Sequence, residues 1–289
     1  MFIKLFCPAK LNLFLEVLDK RDDGYHELDT VMMSVDLCDT VSVRVEGNNT
    51  ESNRISLVCD KEGVPSDLRN IAYKAADAFL QYFSLKGYDV ELEIEKKIPV
   101  AAGLAGGSAD CAGVLLGLEN LFSLQSRRDE LLKLGARLGA DVPFCMTCGC
   151  AHATGIGEIM TKLPSITPEW TFVVAKGGEG ISTALAYSQI DSRESERKNS
   201  FEIRRAISRA DMFSVCSNLY NAFEEVVMPE REMVGRAKRV LEENGCMGCL
   251  MSGSGPSVFG IFSSTDDAER SRDILEEMGY DAFVCYPVM

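Results

Sequence analysis

From Phe2 to about Val45 apolar and polar residues alternate with a period of two, broken by the turn-forming stretch RDDGYH, which predicts two long strands joined by a turn. A shorter strand is expected around Ile55 to Cys59. Over Asp67 to Leu85 the apolar spacing becomes helical, with Ser66 placed to cap the start and Gly87 the end, before alternation returns in YDVELEIEKKI. A glycine-rich stretch from Pro99 leads into a helix over Ser108 to Phe122, and SRRDELLKLGARLG reads as a further helix capped by Ser126. Strand-like runs follow Pro143 through Lys162.

Pro164 and Pro168 bracket a polar connection ahead of the apolar run TFVVA, and this sets a division into residues 1–163 and 164–289. The second part predicts a helix at Ile181 to Ser188, a polar loop SRESERKNS, and helices at Phe201 to Ala210, Asn218 to Val227 and Arg231 to Asn244. It ends with a strand around Cys249, the turn SGSGPS, the strand SVFGIF, a helix over Asp266 to Met278 and the strand DAFVCYPV. The sum is an α+β protein in two domains, without internal repeats.

Composition narrows the function. With 46% hydrophobic residues among 289, the chain can bury a core in each part, and a net charge of -14 gives no basic footprint for nucleic acid. A phosphate group can still be held locally by backbone N–H groups. The N-terminal stretch lacks a signal-peptide succession and no run is long and apolar enough to cross a bilayer, so the expectation is a cytoplasmic protein without a membrane partner. Eleven cysteines spread from Cys7 to Cys285 suit reduced thiols rather than a disulfide framework.

The strongest chemical signal is PVAAGLAGGSADCAG, which sets Gly103, Gly106 and Gly107 between a strand and a helix that starts near Ser108. Glycines let a backbone approach phosphate oxygens, and the free N–H groups and dipole of a helix start favour anions. The other reading is a flexible turn with a small-residue helix packed behind it. Neither GxxxxGK[ST] nor GxGxxG is present, which removes the two commonest phosphate loops. In PAKLNLFLEV, alternation puts Ala9, Leu11, Leu13, Leu15 and Val17 on a core face and Lys10, Asn12, Phe14 and Glu16 on the other. Lys10 and Asn12 then either wall a polar cleft or sit on an exposed edge. Asp141, in GADVPF, is placed both for a local helix cap and for acid–base work.

These segments together resemble the GHMP kinase superfamily. PVAAGLAGGSA at Pro99 to Ala109 is similar to its second motif and SGSGPSVF from Ser252 to its third; PAKLNLFL, DGYH and GADVPF resemble the erythritol-kinase branch. The resemblance implies an N-terminal domain like ribosomal protein S5, a ferredoxin-like C-terminal α+β domain and an active site in the cleft between them. It implies ATP with Mg2+ at Pro99, Val100, Ala101, Ala102, Gly103, Leu104, Ala105, Gly106, Gly107, Ser108 and Ala109, where Ala109 replaces a serine usual in that branch. By the same resemblance Lys10 and Asp141 form the catalytic pair, with Asp141 as general base. The small-molecule substrate would be a cytidyl diphosphate ester of a methylated erythritol, met by Asn12, Tyr25, His26, Thr183 and Tyr187, with Tyr25 and Tyr187 on the two faces of the cytosine. A monomer or homodimer fits equally.

Two other classes compete. CxxCxC at Cys145, Cys148 and Cys150 and CxxC at Cys246 and Cys249 raise a metal or redox protein, but the two groups stand much further apart than zinc-ribbon spacing. No metal ligands are therefore assigned. A hydrolytic triad has little support, since His26 and His152 are the only histidines and neither has a nucleophile-elbow context. Among GHMP kinases, a mevalonate or homoserine kinase is the alternative, against which DGYH stands.

Overall fold

The computed structural model describes residues 1–166, 169–181, 183–191 and 196–288. The chain runs through β1 (Phe2–Lys20), β2 (His26–Gly47), β3 (Arg54–Cys59), α1 (Ile71–Tyr82), β4 (Tyr88–Glu95), α2 (Gly106–Leu121), α3 (Arg128–Leu138), α4 (Val142–Thr147), β5 (Cys150–Thr154), β6 (Ile159–Lys162) and β7 (Thr171–Lys176). It continues through α5 (Thr183–Ile190), α6 (Phe201–Ser208), α7 (Met212–Ser217), β8 (Tyr220–Asn221), α8 (Glu224–Val227), α9 (Glu232–Glu243), β9 (Gly248–Met251), β10 (Val258–Phe262), α10 (Thr265–Glu277) and β11 (Asp281–Cys285). Two compact units form, each from separate stretches. Met1–Ala9, Cys38–Ile98 and Ala105–Thr147 make the first; Lys10–Leu37, Pro99–Leu104 and Cys148–Met289 make the second.

In the first unit β4 pairs antiparallel with β2 (Thr40↔Glu95 to Gly47↔Tyr88) and parallel with β3. The alternation read from the sequence decides which face is covered: Val41, Val43, Val45, Val90, Leu92 and Ile94 are all buried. Helix α1 buries Ala72, Ala75, Ala76, Phe79 and Leu80, a stripe at helical spacing. Its cap is Asn70 rather than Ser66. The Asn70 side chain accepts the Ala72 N–H (2.9 Å) and donates to the Pro65 carbonyl (2.8 Å), so residues 66–69 are spent on the turn and the helix starts later than its apolar pattern. Helix α2 packs close to the strands through glycine. A Cβ at Gly113 would lie 2.4 Å from Cys7 Sγ and 3.1 Å from Val41, and one at Gly117 would lie 2.9 Å from Val43.

The structure corrects the sequence reading at three further places. Val142–Thr147 is helix, not strand; Pro143 near its start provides a helix-compatible φ, and all its residues but Thr147 are buried, which hides the period. Ser126 lies in a 3-10 turn (Gln125–Arg127) and does not cap α3. Of the helix expected over Asn218 to Val227 only α8 (Glu224–Val227) forms; β8 takes Tyr220–Asn221, where the Asn221 side chain bonds backbone groups. Pro168 and residues 192–195 of the loop SRESERKNS lie outside the described residues.

The second unit contains a four-stranded antiparallel sheet in the order β11-β7-β10-β9, so its first strand in the chain lies between its last and its third. This is the order of a split βαββαβ unit, the ferredoxin-like arrangement. Helices α9 and α10 cover it, burying Val234, Ala237, Leu241, Ala268 and Leu275 with Val173, Ala175, Val258 and Phe262. In the same unit β2 pairs with β5, β5 with β6, and β1 runs parallel to β8. All eleven cysteines are free thiols. No helix among the described residues is long and apolar enough to cross a membrane.

Candidate active site

In the second unit the polar face of β1 is buried. Lys10 is 5% and Asn12 3% exposed, which excludes an exposed edge. The Lys10 ammonium donates to Asn12 Oδ1, Asn12 Nδ2 donates to Thr30 Oγ1 (2.9 Å), and Thr30 Oγ1 donates to the Phe14 carbonyl (2.7 Å). The lysine is therefore oriented by a relay anchored in backbone. Its own N–H donates to the Leu104 carbonyl (3.1 Å), tying β1 to the glycine loop.

The turn between β9 and β10 completes this arrangement. Ser252 Oγ accepts the Asn12 N–H (3.3 Å) and donates to the Gly103 carbonyl (3.0 Å), while the Ser257 N–H donates to the Ala102 carbonyl (3.3 Å). Gly103 has φ +74°, and a Cβ there would stand 2.1 Å from the Ser252 carbonyl oxygen. Only glycine fits both demands. Asn221, which the sequence reading passed over, holds the turn: Nδ2 donates to the Met251 (2.6 Å) and Gly253 (2.8 Å) carbonyls, and Oδ1 accepts the Phe223 N–H (2.9 Å). The last bond is an Asx turn, a local signal that N-A-F in the sequence offered.

In the first unit α2 opens after Ala105, a left-handed residue (φ +58°) with no side chain able to cap. The first-turn N–H groups of Gly106, Gly107 and Ser108 consequently have no side-chain cap and form an anion-ready helix start. Ser108 is half-buried; a Cβ at Gly139 would lie 3.8 Å from its Oγ. Asp141 immediately precedes α4, where its carbonyl accepts the Cys145 N–H (3.0 Å), and it is half-buried. The expected loop thus has a helix start on one side and a turn-braced segment, Pro99–Leu104, on the other. Ala109 is buried and offers no hydroxyl.

The residues expected to meet a base lie in the second unit. The His26 imidazole stacks on the Tyr187 ring, with centroids 4.9 Å apart and planes 17° from parallel, and Tyr187 meets Phe223 edge-on at 5.0 Å. His26 Nε2 lies 2.6 Å from Asp191 Oδ1, and Lys20 Nζ 2.6 Å from Asp191 Oδ2. The hydrogen bond from Lys20, followed by that from His26, holds the Asp191 carboxyl below its usual range. Val17, Lys20, His26, Ile190 and Asp191 line a cavity of about 430 Å³. Tyr25 is 60% exposed on the turn ahead of β2. The side chain of Thr183 lies outside the described residues.

Cys145 lies in α4 and Cys150 in β5, and among the described residues no group of three His, Cys, Asp or Glu side chains is able to hold a metal ion. Cys246 and Cys249 hydrogen-bond to each other, which lowers the Cys246 thiol and raises Cys249.

Comparison with known proteins gives concordant matches. Residues 70–149 match the GHMP kinases N terminal domain and residues 202–281 the GHMP kinases C terminal family. The chain is 40% identical over 277 residues to a 4-diphosphocytidyl-2-C-methyl-D-erythritol kinase of Caldicellulosiruptor saccharolyticus, covering 96% of this chain and 93% of that protein. It is 42% identical over 284 residues to the protein of the same name from Exiguobacterium sibiricum, covering 98% and 97%. A crystal structure of a 4-(cytidine 5'-diphospho)-2C-methyl-D-erythritol kinase superposes with a TM-score of 0.79 at 31% identity, covering 99% of this chain and all of that one. A homoserine kinase from Cytophaga hutchinsonii shares the fold, with a TM-score of 0.75 at 18% identity.

Proposed function

Because the chain belongs to the 4-diphosphocytidyl-2-C-methyl-D-erythritol kinase family of GHMP kinases, we propose that it phosphorylates the 2-hydroxyl of that cytidyl ester with ATP, in the cytoplasm. The product would feed the non-mevalonate, methylerythritol phosphate route to isoprenoid precursors. The observation that carries the reading is the buried relay from Lys10 through Asn12 and Ser252 to Gly103, which braces a lysine and a glycine loop as one assembly. Such pre-organisation is what phosphoryl transfer asks of a protein. The matched family segments fall on either side of the division at residues 163 and 164.

In the transfer, the substrate oxygen forms a bond to the γ-phosphorus while the bond from that phosphorus to the bridging oxygen breaks and ADP leaves. Asp141 accepts the hydroxyl proton. The Lys10 ammonium, held by Asn12, stabilises negative charge that grows at the transferring group. Backbone N–H groups at Gly106, Gly107 and Ser108 bind phosphate oxygens, and Pro99 to Leu104 shape the approach. Bound with the nucleotide, Mg2+ would neutralise charge on the triphosphate. Tyr25, His26 and Tyr187 recognise the cytosine by stacking and hydrogen bonds, and Asn12 and Thr183 contribute to the acceptor site.

The test is ADP release from ATP and Mg2+ on adding 4-diphosphocytidyl-2-C-methyl-D-erythritol, with mevalonate and homoserine as alternative acceptors. Release with the cytidyl ester alone, abolished by Asp141→Ala with nucleotide binding retained, is the expected result. Release only with another acceptor overturns the substrate; unchanged turnover in the variant removes Asp141 as base.

A further inference from the structure

The first unit holds a buried cluster of three charged side chains that the mechanism above does not use. Lys96, just past β4, donates to Asp39 Oδ2 on β2 and to Asp110 Oδ2 on α2, the latter at 2.7 Å, and each side chain is at most 5% exposed. The two acids are not equivalent. Asp39 Oδ1 accepts the N–H groups of Lys97 (2.7 Å) and Ile98 (2.8 Å), so that carboxylate is satisfied on both oxygens. Asp110 Oδ1 is buried with no hydrogen-bond partner among the described residues. One ammonium facing two carboxylates leaves a negative charge uncompensated away from water, and Asp110 is the acid that gains most by taking a proton.

The surroundings add little that would compensate it. Cys59 at the end of β3 and Cys111 beside it in α2 are thiols pushed up by burial, hence neutral. Asp60 accepts the Lys96 N–H (2.8 Å) and is a further negative charge. The buried faces of α1, α3 and α4, which pack on α2, are apolar apart from the Cys145 thiol. Burial first, with the neighbouring Asp39, pushes the Asp110 carboxyl up to about 7 against the pull of Lys96.

The cluster also lies close behind the helix start. Asp110 is the fifth residue of α2, about 6 Å along the axis from Gly106, and helical side chains lean toward the N-terminus. A Cβ at Gly106 would stand 3.3 Å from Lys96 Nζ. An anion bound by the first N–H groups of α2 therefore acts on Asp110 through protein rather than through water, and disfavours its charged form. We propose that Asp110 is a positioning residue that binds a proton when a nucleotide polyphosphate occupies the start of α2. The protonated acid leaves Lys96 balanced by Asp39, which fixes Lys97 and Ile98 at the entry to the loop. The proposal rests on the nucleotide reading above.

Calorimetric titration of the full chain with ADP in excess Mg2+ at pH 7.5, in three buffers of different ionisation enthalpy, counts the protons taken up per nucleotide. Wild type is expected to take up roughly 0.5 to 1 proton, and its affinity to fall about tenfold from pH 7 to 9. Asp110→Asn, neutral at every pH, should abolish both effects, with a melting curve confirming that it is folded. Asp39→Asn, which leaves Lys96 paired with an ionised Asp110, should abolish the uptake independently. A wild-type heat that does not depend on buffer, or equal uptake in wild type and Asp110→Asn, overturns the proposal and leaves nucleotide binding standing. Absence of any nucleotide heat in the wild type removes the nucleotide reading and the proposal with it.

Discussion

Replacing Gly103 with alanine tests how the glycine loop is held. The new Cβ would meet the Ser252 carbonyl oxygen at 2.1 Å, where ordinary contact starts at 3.4 Å, so the loop and the turn must part by about 1.3 Å. The left-handed φ of +74° adds roughly 1–2 kcal/mol for a residue with a Cβ. Together with the packing strain, a stability loss of about 2–4 kcal/mol is expected. Parting also stretches the bond from Ser252 Oγ to the Gly103 carbonyl and through it the support of Asn12. A displacement near 1 Å in a positioning element costs on the order of 100-fold in turnover. Thermal melting and initial-rate ADP release on the same preparation separate the two effects. Gly107→Ala is the control for stability, because its nearest neighbour, Ile71, stands at 3.6 Å and a helical alanine replaces a glycine. If Gly103→Ala melts and turns over like wild type, the brace from the β9–β10 turn does not position the loop.

Other consequences are open to measurement. Gly113→Ala puts a methyl 2.4 Å from Cys7 Sγ and should cost about 1–3 kcal/mol in denaturant midpoint, a cost relieved by Cys7→Ala in the double variant. Asp110→Asn should be more stable than wild type at pH 8. Folding raises this acid to about 7, so its contribution is fully present below the unfolded carboxylate range near 4 and is lost as pH rises through 7. The gap between the two proteins should therefore widen by a few kcal/mol from pH 4 to 7, and a constant gap in urea titrations would contradict the burial argument. Asp191→Ala frees the His26 ring from its 2.6 Å partner; the expected result is a higher KM for the cytidyl substrate, roughly 3- to 10-fold, at nearly constant kcat. A fall in kcat without change in KM would place His26 nearer the chemistry than the base.

The sequence was legible where local pattern and tertiary environment agree. Alternation located β1 and β2, and the helical stripe of α1 was visible because its apolar positions face one core. Asn12 and Lys10 were placed on the correct face, but not as buried residues: the group that covers Asn12 is Ser252, 240 positions away, and no local period encodes that contact. The α4 segment was misread because burial of nearly all its side chains erases amphipathic contrast, leaving Pro143 as the sole helix signal. Asp39, Lys96 and Asp110 look like surface charges in a list of residues, and only the convergence of β2, the end of β4 and α2 turns them into a buried cluster. The ring contacts of Tyr187 with His26 and Phe223 join β2, α5 and the residue before α8, and no local pattern encodes them.

The glycines of α2 have a consequence for how this protein can change over evolutionary time. Where a helix rests on large side chains, drift in core volume moves the helix, and the site at its end moves too. Here the spacing at Gly113 and Gly117 is set by bare Cα atoms against Cys7, Val41 and Val43. The height of α2 above the strands is thus a fixed datum: the rest of the core is free to vary in size, while enlargement at Cys7, Val41 or Val43 is read out directly as displacement of the helix start. Lineages should accept many substitutions in α1 and few at these three positions.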